Sequence, residues 1–227
     1  MQDDIATQLP PSAGKTAGRT GARQRQTRTR EALLSAARRL MAQQSRAAFT
    51  VDELTGAAGV AKGSFYNHFP DKEAIAEEVH RAVRMMEEAE VRAVNRGVAD
   101  PVARIARGIA TYARMALTSP EDAHILTLSQ IDSRFLQSAV NAGLRDDLRA
   151  ALSDGRVVAP SIEAAALLIV GQTAVLMIRL CNEPNPEKAQ LVAQQCIAIT
   201  LVGLSLTHRE AQLLATQAVD AVVRPER

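Results

Sequence analysis

Apolar residues recur at intervals of three and four along nearly the whole chain and never alternate in twos, a pattern that predicts helices throughout. The first stripe, Leu33, Leu34, Ala37, Leu40 and Met41, predicts an amphipathic helix over 27–44. A second follows in Val51, Leu54, Ala57 and Ala58. Its start is marked by Thr50 and Glu53, a T-x-x-E capping box in which each residue satisfies the other's backbone amide. Gly59 stops that helix, because the residue after a helix end commonly takes a positive φ that glycine adopts without steric cost. Val60 can plug the corner. A third helix over 62–68 places Phe65 and Phe69 on an inward face and leaves Lys62, Ser64, Tyr66, Asn67 and His68 outward. Two short helices set at an angle by one glycine have the layout of a helix-turn-helix.

Downstream, Asp71 caps a stripe of Ile75, Val79, Ala82, Val83 and Met86 that runs to about residue 95, long enough at ~37 Å to join two domains. Asp100 and Pro101 open a helix reaching 117, and shorter ones are expected over 121–131 and 134–153. The stretches 161–180 and 189–206 are the most apolar in the chain. Glu163, Gln172, Arg179, Gln190, Gln194 and Gln195 argue against a membrane hairpin. Small residues (Ala165, Ala166, Gly171, Ala174, Ala198, Gly203) suit close helix contact across a two-fold interface between copies, with burial inside one subunit as the alternative. A terminal amphipathic helix is expected over 209–224.

Charge sharpens this picture. The net +2 hides a basic front: residues 1–70 hold ten Lys/Arg against five Asp/Glu, and the remainder seventeen against twenty. Residues 1–26, rich in Pro and Gly, read as a disordered basic arm. Lys15, Arg19, Arg23 and Arg25 on it could reach into a minor groove or merely add non-specific attraction. Ala61, where the third helix would want a capping side chain, leaves open amides that suit a phosphate, and Thr27 and Arg28 can meet phosphate at the start of the first helix. Cys181 and Cys196 lack metal-ligand spacing, as do the four histidines, and no nucleotide-binding or hydrolase motif occurs. We therefore expect no metal, no cofactor, no catalysis and, without the apolar core of a secretory signal, a cytoplasmic protein.

The run GVAKGSFYNHFPDKEAI, preceded by TVDELTGAAG, closely resembles the DNA-binding domain of the tetracycline-repressor (TetR) family over 27–75. The resemblance implies an all-α protein: a three-helix helix-turn-helix domain at 27–72, then a larger helical domain at 73–227 for effector binding and dimerisation. It implies a homodimer on a pseudo-palindromic double-stranded operator, repressing until a small molecule swings the connecting helix. Carried over to matching positions, the DNA contacts are Thr27, Arg28, Thr50, Lys62, Gly63, Ser64, Tyr66, Asn67, His68 and Lys72, with Tyr66 and Lys72 on phosphates and Lys62, Ser64 and Asn67 near bases. One departure is the sequence Ser45, Arg46, Ala47, Ala48 where a glycine often follows the first helix. For the effector, the large adaptable side chains Met86, Tyr112, Met115, His124, Phe135 and Met177 are expected to line a mostly apolar pocket for an apolar or weakly polar ligand. A non-specific DNA-coating protein and a helical-bundle enzyme are the competing readings.

Overall fold

A computed structural model describes residues 14–43, 49–129, 142–183 and 185–223, and among these every regular element is a helix. α1 spans Gly14–Gln43, α2 Val51–Ala58, α3 Lys62–Tyr66 and α4 Lys72–Val94. α5 (Pro101–Thr118), α6 (Pro120–Ser129), α7 (Ala142–Ser153), α8 (Ile162–Cys181), α9 (Pro186–Gly203) and α10 (His208–Val222) complete the order. Caps set several of these boundaries. Asp71, Ser161 and Asn185 accept from the amides of Ala74, Ala164 and Lys188, and Asp100 accepts from Val102 with Pro101 in the first turn.

α1, α2 and α3 pack together around Leu33, Ala37, Met41, Phe49, Leu54, Phe65 and Phe69, all buried. α4 leaves this head and packs on α5 and α6, with Val79 and Val83 buried along it. In the larger part α5 is the hub, in contact with α4, α6, α7, α8, α9 and α10. Alanines at 106, 110, 113 and 116 let its neighbours approach closely. Two ion pairs tie the head to the rest. Arg30 of α1 donates to Glu78 of α4 at 2.5 Å, and Arg38 of α1 forks onto Asp122 of α6, its Nε donating at 2.7 Å to a carboxylate with 4 % of its side chain exposed.

Two expectations change. Residues 14–26 are not part of a disordered arm: they continue α1, since Arg, Gln and Ala are good helix formers and propagation from a formed helix is easy. Of the expected helix over 134–153, Ala142–Ser153 is described and helical; 134–141 and the loop at 45–48 lie outside the described residues. α8 is, among the described residues, the helix long and apolar enough to cross a bilayer, but Ala165, Ala166, Ile169, Leu176, Met177 and Leu180 bury one side of it in the core. Its other side exposes Leu167, Leu168, Gly171, Val175 and Ile178, continued on α9 by Leu191 and Ile199. Ala198, expected at an interface between copies, instead faces inward at 6 % exposure.

Candidate nucleic-acid interface and ligand cavity

The reading head is built by local chemistry. Both halves of the capping box form: the Glu53 amide donates to Thr50 Oγ1 at 3.1 Å, and the Thr50 amide to Glu53 Oε2 at 2.7 Å. These bonds hold the Glu53 carboxyl below its ordinary range. The Thr50 hydroxyl is occupied in the same cap. Gly59 takes φ 67°, ψ 32°, its amide returning to Gly56 and that of Val60 to Thr55, so the chain turns where it was expected to. At the start of α3, Ala61 makes no side-chain cap. The helix is shorter than the expected 62–68, ending at Tyr66, with Asn67 and His68 in the turn that leads to Pro70.

Phe65 is buried and holds α3 down, stacked on Phe69 with ring centroids 5.9 Å apart. Tyr66 is then pushed outward, 54 % exposed and edge-on to Phe65. Lys62, Gly63 and Asn67 are exposed, and Ser64, His68 and Lys72 half-buried. Thr27 and Arg28 lie on the exposed stretch of α1, Thr27 bonded back to the Arg23 carbonyl. Lys62 meets Asp52 of α2 at 2.8 Å, which raises its pKa. Such an exposed pair is held weakly and is easily exchanged for a phosphate. The recognition helix thus gathers Lys62, Gly63, Ser64, Tyr66 and Asn67 on or beside one short surface, flanked by Lys72 at the start of α4.

A cavity of about 460 Å³ opens between α4, α5, α7 and α8. Val91, Ile105, Gly108, Ile109, Leu144, Ile169 and Val170 make its apolar wall. Its charged groups are paired, Asp146 with Arg149 outside the lining at 2.6 Å and the other four with one another. Arg104 donates to Asp147 at 2.7 Å and to the carbonyls of Val98 and Ala99, and Arg92 pairs with Glu88 at 2.9 Å. The Thr173 hydroxyl is bonded to the Ile169 carbonyl. Tyr112 also lines the cavity, and burial, reinforced by Glu87 and Glu88, raises its pKa, so the phenol stays neutral.

Of the six side chains expected around an effector, only Tyr112 stands in this wall. Met115 and Met177 are core, Met86 is 45 % exposed on α4, His124 is half-buried on α6, and Phe135 lies outside the described residues. The pocket was expected to be mostly apolar, and it also carries charged groups held in ion pairs. The stripe that carries the site is Arg104, Gly108 and Tyr112, four residues apart on α5. Just beyond the lining, Glu87 of α4 is 4 % exposed with no hydrogen-bond partner for Oε1. Burial pushes its pKa up to about 7; Arg114 opposes this, while Glu90 and Asp122 reinforce it.

A capped helix-turn-helix with a polar outward face, joined by one long helix to a helical body with an internal cavity, defines a DNA-binding regulator of the ligand-responsive kind. Residues 33–79 match the profile of bacterial regulatory proteins of the tetR family, so this chain carries a DNA-binding domain of the tetR type. It is 25% identical over 213 residues, 88% of this chain and 98% of the relative, to the HTH-type transcriptional repressor KstR2 of Rhodococcus jostii (strain RHA1). Among solved structures the fold is shared with a tetR family regulator from Shewanella sp. PV-4 (17% identity, 78% of this chain and 97% of that one, TM-score 0.69). It is shared too with RolR bound to its ligand resorcinol (23% identity, 86% and 96%, TM-score 0.62).

Proposed function

We propose that the chain works as a cytoplasmic homodimeric repressor, released from a pseudo-palindromic operator when a small neutral, mostly apolar effector enters the cavity. The observation that carries this reading is the course of α4. Its first residue, Lys72, flanks the recognition helix, and its last turns supply Glu88, Val91 and Arg92 to the cavity wall. One rigid element therefore touches both sites. Tyr66 and Lys72 hold phosphates, while Lys62, Ser64 and Asn67 approach base edges in the major groove. Thr27, Arg28, Thr50, Gly63 and His68 complete the contact surface.

The cavity's size is that of a drug-like or metabolite-like ligand. An anionic effector would have to break the Arg104–Asp147 pair, so a neutral ligand fits better, with Tyr112 addressing its polar group. The same kind of ligand is in keeping with the resorcinol bound by RolR. The exposed apolar stripe of α8 and α9 is suited to a second copy of the chain, as in a two-fold four-helix contact. All of these roles are binding roles, and the related proteins are transcription regulators.

Footprinting on the DNA around the coding sequence tests the DNA reading: a short symmetric protected site is expected, and uniform coating refutes it. Ligands found by thermal shift are then titrated into the protein–operator complex. A ligand preferring the released conformation tenfold supplies ~1.4 kcal/mol per site. One that stabilises the protein without weakening operator binding refutes the coupling, and binding unchanged in Tyr112→Ala refutes the cavity as its site.

A further inference from the structure

α1 is anchored toward its C-terminal end. Arg38 binds Asp122 of α6, and eight residues earlier Arg30 is held by Glu78 and by the Phe69 ring, its Cζ 5.3 Å from the ring centroid. These two points define a direction. The helix runs from the larger domain, past the end of the recognition helix, and on beyond the reading head. Residues 23–28 are all exposed, and Gly14 lies sixteen residues past Arg30, about 24 Å at 1.5 Å per residue.

The composition of this extension is one-sided. Lys15, Arg19, Arg23, Arg25 and Arg28 stand on it, and no Asp or Glu occurs between Gly14 and Arg30. Like charges one helical turn apart repel, and the exposed turns at 23–28 gain nothing by packing. A polyanion beside it supplies what the chain lacks. Duplex DNA is the polyanion toward which the helix is aimed if the recognition helix reads an operator, and this inference rests on that reading. We propose that the first turns of α1 form a basic outrigger lying along the duplex next to the half-site, contacting phosphates over about seven base pairs at 3.4 Å each. It adds affinity and widens the footprint without adding base specificity.

The test compares the full-length wild type with the quadruple variant Lys15→Gln, Arg19→Gln, Arg23→Gln, Arg25→Gln, glutamine being a comparable helix former. The expected result is a salt slope of operator binding lowered by about 0.9 for each phosphate no longer neutralised, and hydroxyl-radical protection shortened by several base pairs on each flank, with the preferred sequence unchanged. A full slope and full-width footprint in the variant overturn the outrigger while leaving the operator reading intact. A wild type without any discrete footprint overturns the operator reading itself. Ala22→Pro keeps every charge but breaks the helix; flank protection should disappear, and its persistence shows a flexible arm and overturns the helical account.

Discussion

Replacing Glu87 by Gln removes a carboxyl that the fold holds in its least favourable setting. Glu87 is buried in α4, its Oε1 without a partner, and its pKa is pushed from 4.5 to about 7, chiefly by burial. Below pH 4.5 the group is protonated in both folded and unfolded chains and costs nothing. Between 4.5 and about 7 the folded chain binds the proton more tightly than the unfolded one, so stability falls as pH rises, and the full cost is present above 7. A separation of about 2.5 pH units at 1.36 kcal/mol each amounts to roughly 3 kcal/mol. Glu87→Gln should therefore match the wild type near pH 4.5 and exceed it by up to roughly 3 kcal/mol at pH 8. Urea unfolding at fixed protein concentration, repeated at half-unit steps from pH 4.5 to 8, measures the difference. A gap that stays constant across this range refutes the argument, because a packing or hydrogen-bonding effect of the amide carries no pH dependence.

Tyr66→Phe and Lys72→Ala are expected to weaken binding to all DNA sequences alike, with Lys72→Ala lowering the salt slope by about 1, whereas Lys62→Ala shifts sequence preference; unchanged operator affinity in both phosphate variants would sink that assignment. Gly171→Leu meets no atom of its own subunit within 4 Å of the new Cβ, so it should fold normally and overpack only the contact between copies, by ~1–3 kcal/mol per site. Sedimentation equilibrium reads the change, and a variant that dimerises as tightly as the wild type places the interface elsewhere.

What could be read in the sequence was local. Thr50 and Glu53 declare their cap within four residues, Gly59 its turn, and Asp71 and Asp100 their helix starts, because each depends on atoms a few bonds apart. The cavity depends on where four helices fail to meet, which no single stripe records. Met115 and Met177 have the same periodicity as Ile109 and Ile169, yet the first two fill the core and the last two face a void. A signal was available in Gly108, set between Arg104 and Tyr112 on one face of α5, where a missing side chain leaves room. Ala198 misled for a related reason: small residues permit close approach on either side of a helix, and here the approach is inside the subunit, with Ile199 outside. Residues 14–26 read as an arm because Gly14, Gly18 and Gly21 are poor helix formers and no large apolar residue stands among them, whereas α1 runs through them.

The Arg38–Asp122 clasp makes α1 a lever. From Arg38 to Gly14 is 24 residues, about 36 Å, so a tilt of about 5° at the clasp carries the far end through about 3 Å. That is the length of a hydrogen bond. Arg30, a third of the way out beside the recognition helix, travels only about 1 Å in the same tilt. If the basic turns of α1 lie along a duplex as proposed, the same tilt displaces their contacts about three times as far as those beside the recognition helix.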